Sequence, residues 1–219
     1  MKKRILIITD SLGCPRNQIP PNQTWTEKII SKYGGEVLIY TYCIYGLRCT
    51  DIPFGWIQFL KPNIIICQFG ICDACKRATP EKILNILQKF QKVGKVYQRF
   101  ASKYHYYLTK FWNIHYTNIF TFEVLVKRLC VLRQSQIAFI PIAPPGDYLI
   151  NKSYGILSDV KEYNSVFIKN ARGHNITLLS VYDGVKSNDI ILKEDGHHLN
   201  ARGNELVYNA VAKYIDERI

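Results

Sequence analysis

Apolar positions along the chain fall into short unbroken runs separated by stretches in which they recur every three or four residues, and this predicts strands interleaved with helices. Residues 4–9 (RILIIT) and 63–69 (NIIICQF) lack the alternation of a half-exposed strand and read as parallel strands covered on both faces. Residues 36–42, 136–142 and 176–181 supply further strand-length runs. Between them, Asn22 is placed to cap a helix with Trp25, Ile29 and Ile30 on one buried face and Gly34-Gly35 at its end. Residues 53–60 predict a short helix broken by Pro62. Residues 80–93 predict a helix with Pro80 in its first turn and Ile83, Leu84, Ile86 and Leu87 buried, and a strand is expected to begin near Lys95. Residues 153–172 predict a helix between Ser153 as cap and Gly173 as terminator, and Asn200 opens a last helix with Leu206, Val207, Ala210, Val211 and Tyr214 inward.

The stretch 97–133 is unconventional. Tyr97, Phe100, Tyr104, Tyr107, Leu108 and Phe111 recur at helical spacing while Arg99, Lys103 and Lys110 interleave on another side, and helical character continues through residues 122–132. Two readings fit: an amphipathic helix packed over the core, or a basic aromatic surface for a glycan, a membrane face or a second subunit.

Strands separated by helices imply right-handed crossovers and a mostly parallel sheet. The expected architecture is one α/β domain over residues 1–219, three-layered, with a flavodoxin-like strand order 2-1-3-4-5. In that order Ser11, Gly46, Gly70 and the 195–198 loop all lie at the carboxyl edge of the sheet, near the switch point where such folds bind ligands.

Composition narrows the classes. The formal charge of +12 fits an anionic substrate, an acidic membrane surface, nucleic acid, or a merely basic background, and no nucleic-acid motif accompanies it, so nucleic acid is not expected as partner. Seven dispersed cysteines, an odd number, fit reduced thiols better than a disulfide framework. No apolar run reaches the ~20 residues that span a bilayer, and the apolar run after Arg4 is shorter than a signal-peptide core, so a cytoplasmic location is expected.

The candidate chemistry sits at the two ends. Ser11 follows the first strand, and Asp195, His197 and His198 precede the last helix. A serine needs a base to take its proton; His198 can accept that proton and return it, and Asp195 can hold the imidazole tautomer. His197 is the competing base. Metal binding is the alternative use of Asp195, His197 and His198, and Cys72 and Cys75 form a lone Cys-x-x-Cys; neither is strong enough for a metal or cofactor to be expected. His105, His115 and His174 lack such context and read as structural or exposed.

Thr9-Asp10-Ser11-Leu12, Gly46, Gly70-Ile71-Cys72-Asp73 and Asp195-Gly196-His197-His198-Leu199-Asn200 together resemble, in order, the blocks of the SGNH (GDSL-like) hydrolase superfamily. Thr9 replaces that family's first glycine and Cys72 its third-block asparagine. The resemblance implies a serine esterase working through an acyl-enzyme at Ser11, with Asp195 and His198 completing the triad. It also implies an oxyanion hole from the amides of Ser11 and Gly46 and the Cys72 position. Small-acyl chemistry on an acylated small molecule or carbohydrate is implied, as in small bacterial polysaccharide-associated members, with a carbohydrate O-acetylesterase expected. A sugar O-acyltransferase drawing on a donor such as acetyl-CoA, and a non-catalytic glycan- or partner-binding module, are the other readings. Substrate contacts are expected from Asp10, Arg16, Gly70, Asp73, Arg77 and His197, with Lys76 and the two arginines facing an anionic sugar or carrier phosphate.

Overall fold

The apolar run after Arg4 forms the strand from which the sheet extends in both directions. In the computed structural model, which describes residues 2–132, 134–173 and 176–219, Ile5, Leu6, Ile7, Ile8 and Thr9 are all fully buried. Strand β1 (Arg4–Thr9) pairs in parallel with β2 (Leu38–Cys43) on one side and β3 (Ile64–Gln68) on the other; β4 (Gln136–Phe139) and β5 (Ile176–Leu178) complete the order β2-β1-β3-β4-β5. The fold class and strand order expected from the pattern are those observed. The unalternating runs are the central strands β1 and β3, because helices cover both of their faces.

The helices are α1 (Trp25–Tyr33), α2 (Phe54–Leu60), α3 (Ile71–Ala74), α4 (Glu81–Gln88), α5 (Gln91–Lys103), α6 (His105–Trp112), α7 (Ile119–Cys130), α8 (Asp147–Lys152), α9 (Ile156–Gly173), α10 (Ser187–Ile190) and α11 (Ala201–Asp216). Helices α1 and α11 pack together, and α7 packs on α9. Tyr33 stitches the first pair, donating to Ala212 O at 3.0 Å and Asp216 Oδ1 at 2.6 Å. Phe69, Phe122, Tyr163 and Phe167 interlock in edge-to-face contacts between β3 and the second pair.

Several expectations are corrected. Asn22 lies in a 3-10 turn, Pro21–Gln23, and Thr24 caps α1 by accepting from Glu27 N–H. The expected helix over residues 80–93 breaks after α4, and the strand expected at Lys95 is the middle of α5, since residues 91–103 carry a helical rather than an every-second-residue period. Ile83 and Ile86, expected inside, are 37% and 57% exposed. The aromatic stripe does not cover the core either, with Tyr107 70% and Phe111 76% exposed. Ser153 separates α8 from α9 instead of capping one long helix, and Gly173 is the last residue of α9. His174 lies outside the described residues. His105 and His115 are half-buried, the first donating from Nδ1 to Lys152 O at 2.9 Å.

One buried amide ties these layers to the end of β3. Gln68 Oε1 accepts from Trp25 Nε1 at 2.7 Å, and its Nε2 donates to Tyr182 Oη at 3.1 Å. Trp25, fully buried, also donates its backbone N–H to Asn204 Oδ1 at 3.0 Å, so α1, β3, the segment after β5 and α11 meet there. Gln68→Met keeps the volume but strips the acceptor from a buried indole N–H. It is expected to lower the urea-unfolding free energy by about 1–3 kcal/mol, more than an exposed glutamine such as Gln98 would on the same change.

Candidate active site

Four loops leave the carboxyl ends of the strands, and the residues singled out in the sequence lie on them. β1 is followed by Asp10, whose Oδ1 accepts from Leu12 N–H at 2.9 Å and so caps the 3-10 turn Ser11–Gly13. That cap presents Ser11 at the head of the turn. Close packing holds the turn, since a Cβ on Gly13 would lie 2.5 Å from the Thr9 side chain.

The 195–198 loop is a tight turn organised by its own acid. Asp195 Oδ1 accepts from the backbone N–H groups of His197 and His198, each at 3.0 Å, and Oδ2 faces His198 Nδ1 at 2.8 Å. The turn needs Gly196, at φ +73°, where a Cβ would lie 2.4 Å from Leu149 N. Leu192 N–H donates to His198 O at 2.7 Å and Gly146 N–H to Gly196 O at 2.7 Å, which anchors the loop on both sides. Asn200 then caps α11, accepting from Gly203 N–H at 3.0 Å.

The two ends of the chain meet here. Ser11 Oγ lies 2.8 Å from His198 Nε2, and both residues are nearly buried, 8% and 9% exposed. Opposite a carboxylate, Nδ1 of His198 must donate, so in the neutral ring Nε2 is the acceptor for the Ser11 hydroxyl. Burial alone would raise the Asp195 carboxyl, but hydrogen bonds from His198 and the two backbone amides hold it far below the usual carboxylate range. It is therefore charged wherever the chain is folded near neutral pH.

His197 is a different group. Burial, then the neighbouring His198, push it down to about 4, and its Nδ1 donates to Asp195 O at 3.1 Å. Its ring packs against that of His198, tilted by 43° with centroids 3.8 Å apart, while the contact to Ser11 is made by His198.

Arg16, a residue with an expected substrate contact, has its Nη1 3.3 Å from Asp195 Oδ2, the oxygen that meets His198. Asp10 and Asp73 are fully buried and cannot contact a substrate. Asp73 accepts from Cys49 N–H at 3.1–3.2 Å and pins the loop after β2 to α3, while burial pushes it up to about 6. Gly70 is buried and left-handed at φ +118°, where a Cβ would lie 2.9 Å from Ile142, so its role is the turn that opens α3.

Gly46, at φ +75°, lies on the loop after β2, where Ile44 N–H bonds Thr9 O at 3.1 Å and Tyr45 Oη donates to Pro15 O. This sets the loop beside the Ser11 turn. Cys72 is half-buried on α3, and burial, with the nearby Asp10 charge, pushes its thiol up to about 12. Cys75 is raised likewise to about 12, so the Cys-x-x-Cys is a pair of protonated thiols without thiolate character. All seven cysteines are unpaired.

Asp195, His197 and His198 offer ligand atoms within 4.8 Å of one another, the arrangement a metal would use. The Arg16 guanidinium already sits on the carboxylate, and both ring nitrogens of His198 are engaged, by Asp195 and Ser11. A cation would have to displace the first and break the second, so the residues suit a proton relay better than an ion.

A cavity of about 460 Å³ lies against the 195–197 side of this cluster, walled by Cys72, Arg77, Gln98, His105, Tyr148 and Lys152 among others. Arg77 Nη2 donates to Cys72 O at 2.6 Å, its guanidinium stacks on Tyr116 at 5.0 Å, and no carboxylate pairs with it among the described residues. Lys76 also lines the cavity, but its ammonium is held in a buried pair with Asp159 at 3.1 Å. His105, Tyr148 and Lys152 carried no sequence signal because their relevance comes only from the helices that bring them to the cavity.

No family model matches the chain, and no curated protein matches it in sequence. Solved structures do match over nearly its whole length. A lipase/acylhydrolase from Enterococcus faecalis superposes with TM-score 0.65 at 14% identity, covering 99% of this chain and 96% of that one. A psychrotrophic esterase from Pseudoalteromonas sp., in a structure inhibited by monoethylphosphonate, gives 0.58 at 16% identity, covering 99% and 98%. An acetylxylan esterase from Geobacillus stearothermophilus gives 0.62 at 13% identity, covering 96% and 93%. At such identities the likeness is one of fold: this chain's parallel α/β sheet with flanking helices resembles the fold of these lipases and esterases.

Asp10 allows a test of how the Ser11 turn is held. Burial pushes its carboxyl up to about 7 against the opposing Leu12 hydrogen bond, with Asp73 adding repulsion, and its Oδ2 has no partner among the described residues. The folded chain keeps this proton to higher pH than the unfolded chain, so the stability it contributes is full below about 4 and is lost as pH rises towards about 7. Asp10→Asn cannot ionise and its Oδ1 can still cap Leu12. Relative to this variant, the wild type is expected to lose roughly 2 kcal/mol of urea-unfolding free energy between about pH 5 and about pH 8. Parallel pH profiles for the two proteins would show that Asp10 does not titrate in that window.

Proposed function

We propose that the chain is a serine hydrolase of the SGNH type that cleaves an O-acyl ester, with Ser11 as nucleophile, His198 as general base and acid, and Asp195 as the group that orients the imidazole. The observation that carries this reading is the pair of 2.8 Å contacts linking Ser11 Oγ, His198 and Asp195 at the carboxyl edge of β1. In the first half-reaction Ser11 Oγ attacks the ester carbonyl while its proton passes to His198 Nε2. The same proton then goes to the departing alcohol, leaving an acyl group on Ser11. Water repeats the sequence in reverse, with its proton taken by Nε2 and returned to Ser11.

The charge that develops on the carbonyl oxygen needs donors. The Ser11 N–H, which bonds no other group among the described residues, and that of Gly46 fill this role, with the Cys72 thiol, protonated at neutral pH, as a weak third donor. Arg16 acts through Asp195: it holds the oxygen facing Nδ1 without touching the reacting atoms. The substrate we infer is an acylated, anionic molecule such as a carbohydrate ester. Arg77, uncompensated by any described carboxylate, and the ammonium of Lys152, hydrogen-bonded to Tyr148 Oη at 3.2 Å, both line the cavity beside the triad. That one structural neighbour is an acetylxylan esterase supports the carbohydrate class.

Turnover of p-nitrophenyl acetate should fall by about 10³-fold or more in both Ser11→Ala and His198→Ala, and a fluorophosphonate probe should label the wild type on Ser11. Absent turnover and labelling would leave a binding module as the better reading.

Arg16→Gln should lower kcat by about tenfold with KM nearly unchanged, and Arg16→Lys should recover part of the loss. A change confined to KM would return Arg16 to the substrate side.

A further inference from the structure

Residues 81–112 fold as three consecutive helices, α4 to α6, whose outer surface is unlike the rest of the molecule. Along α5 and its C-terminal cap, Val93, Val96, Phe100 and Tyr104 recur at i, i+3, i+7 and i+11 and are 56%, 67%, 49% and 39% exposed. A second row, Lys92, Lys95, Arg99 and Lys103, runs one residue behind the first with the same spacing, so an apolar stripe and a basic stripe lie side by side along the helix. Neither α5 nor α6 contains an acidic residue, and α6 adds the protruding Tyr107 and Phe111 beside Lys110. Residues 81–112 hold seven Lys and Arg against one acid, Glu81, which pairs with Arg48; this is +6 of the chain's formal +12.

We propose that the outer face of α5 and α6 is a docking surface for an anionic lipid bilayer, on which the helices lie in the interface plane. The argument is charge complementarity joined to apolar area. A bilayer face takes apolar and aromatic side chains without shape matching, and its anionic headgroups attract the adjacent lysines and arginine. No helix among the described residues is long and apolar enough to cross a membrane, so the contact is one of lying on the surface. A second copy of the chain is a poor occupant, because it would bring two rows of like charge together. The inner side of α5, through Gln98 and Ala101, walls the cavity beside Asp195 and His197, so docking would set that cavity close to the lipid surface. The inference does not depend on the hydrolase reading.

The test is sedimentation of the full chain with vesicles of phosphatidylcholine alone and of phosphatidylcholine with about one third phosphatidylglycerol. Binding is expected to the anionic vesicles only, and raising salt from about 0.05 M to about 0.5 M should release it. Lys95→Gln with Arg99→Gln should weaken partitioning about 30-fold, and Val96→Ser with Phe100→Ser about tenfold, with melting temperatures unchanged because these positions are exposed. Failure to sediment with anionic vesicles, equal binding to neutral vesicles, or undiminished binding of both variants would overturn the proposal. So would a concentration-dependent dimer that Val96→Ser with Phe100→Ser dissociates while vesicles are ignored, which would assign the face to a second copy.

Discussion

The carboxylate of Asp195 is the point on which the arrangement turns. It accepts from two backbone amides of its own loop on one oxygen and faces His198 and Arg16 on the other. These contacts hold the acid charged against its partial burial, and the charge in turn dictates which nitrogen of His198 carries a proton. Only that tautomer leaves Nε2 free to accept from Ser11. Arg16 reaches across from the loop after β1, so the same carboxylate also binds the N-terminal and C-terminal parts of the site to each other.

Beneath this cluster the supporting groups are polar, buried and matched to backbone needs. Asp10 caps the turn that carries Ser11, Asp73 holds the loop that carries Gly46, and Gln68 ties Trp25 to Tyr182 behind them. None of the three can reach a substrate, since each is at most 1% exposed. Their chemistry is that of scaffolding: in a low-dielectric interior a satisfied polar contact fixes geometry, and burial raises both acids toward their neutral forms.

The helical excursion of residues 81–112 obeys a different rule. On α5 the stripe of Val96 and Phe100 faces outward while small or polar residues such as Ala101 and Gln98 line the cavity. The inside of this excursion helps wall the cavity beside Asp195 and His197, and the outside offers apolar area beside a row of positive charge. One thirteen-residue helix thus carries a wall of the cavity on one side and the exposed apolar and basic stripes on the other.

Strand order and the whereabouts of Ser11, Asp195 and His198 were legible in the chain, because uncovered periodicities and chain order are local facts and the right-handed crossover rule turns them into topology. Periodicity also marked the apolar faces of α4 and α5, but it states only that a face is apolar and never what covers it. Hence Ile86 read as core while the fold leaves it outside, the stripe containing Phe100 read equally as a core face or a surface, and the α-helical Lys95 read as the start of a strand. The partner of Arg16 lies 179 residues away and the burial of Asp10 and Asp73 depends on loops from three strands, so no local signal could have separated these acids from substrate ligands. The sequence by itself determined which residues were chemically able to act and along which strands they would be carried. Only the tertiary structure decided which of them face one another, because hydrogen bonding and burial depend on distances that chain separation does not encode.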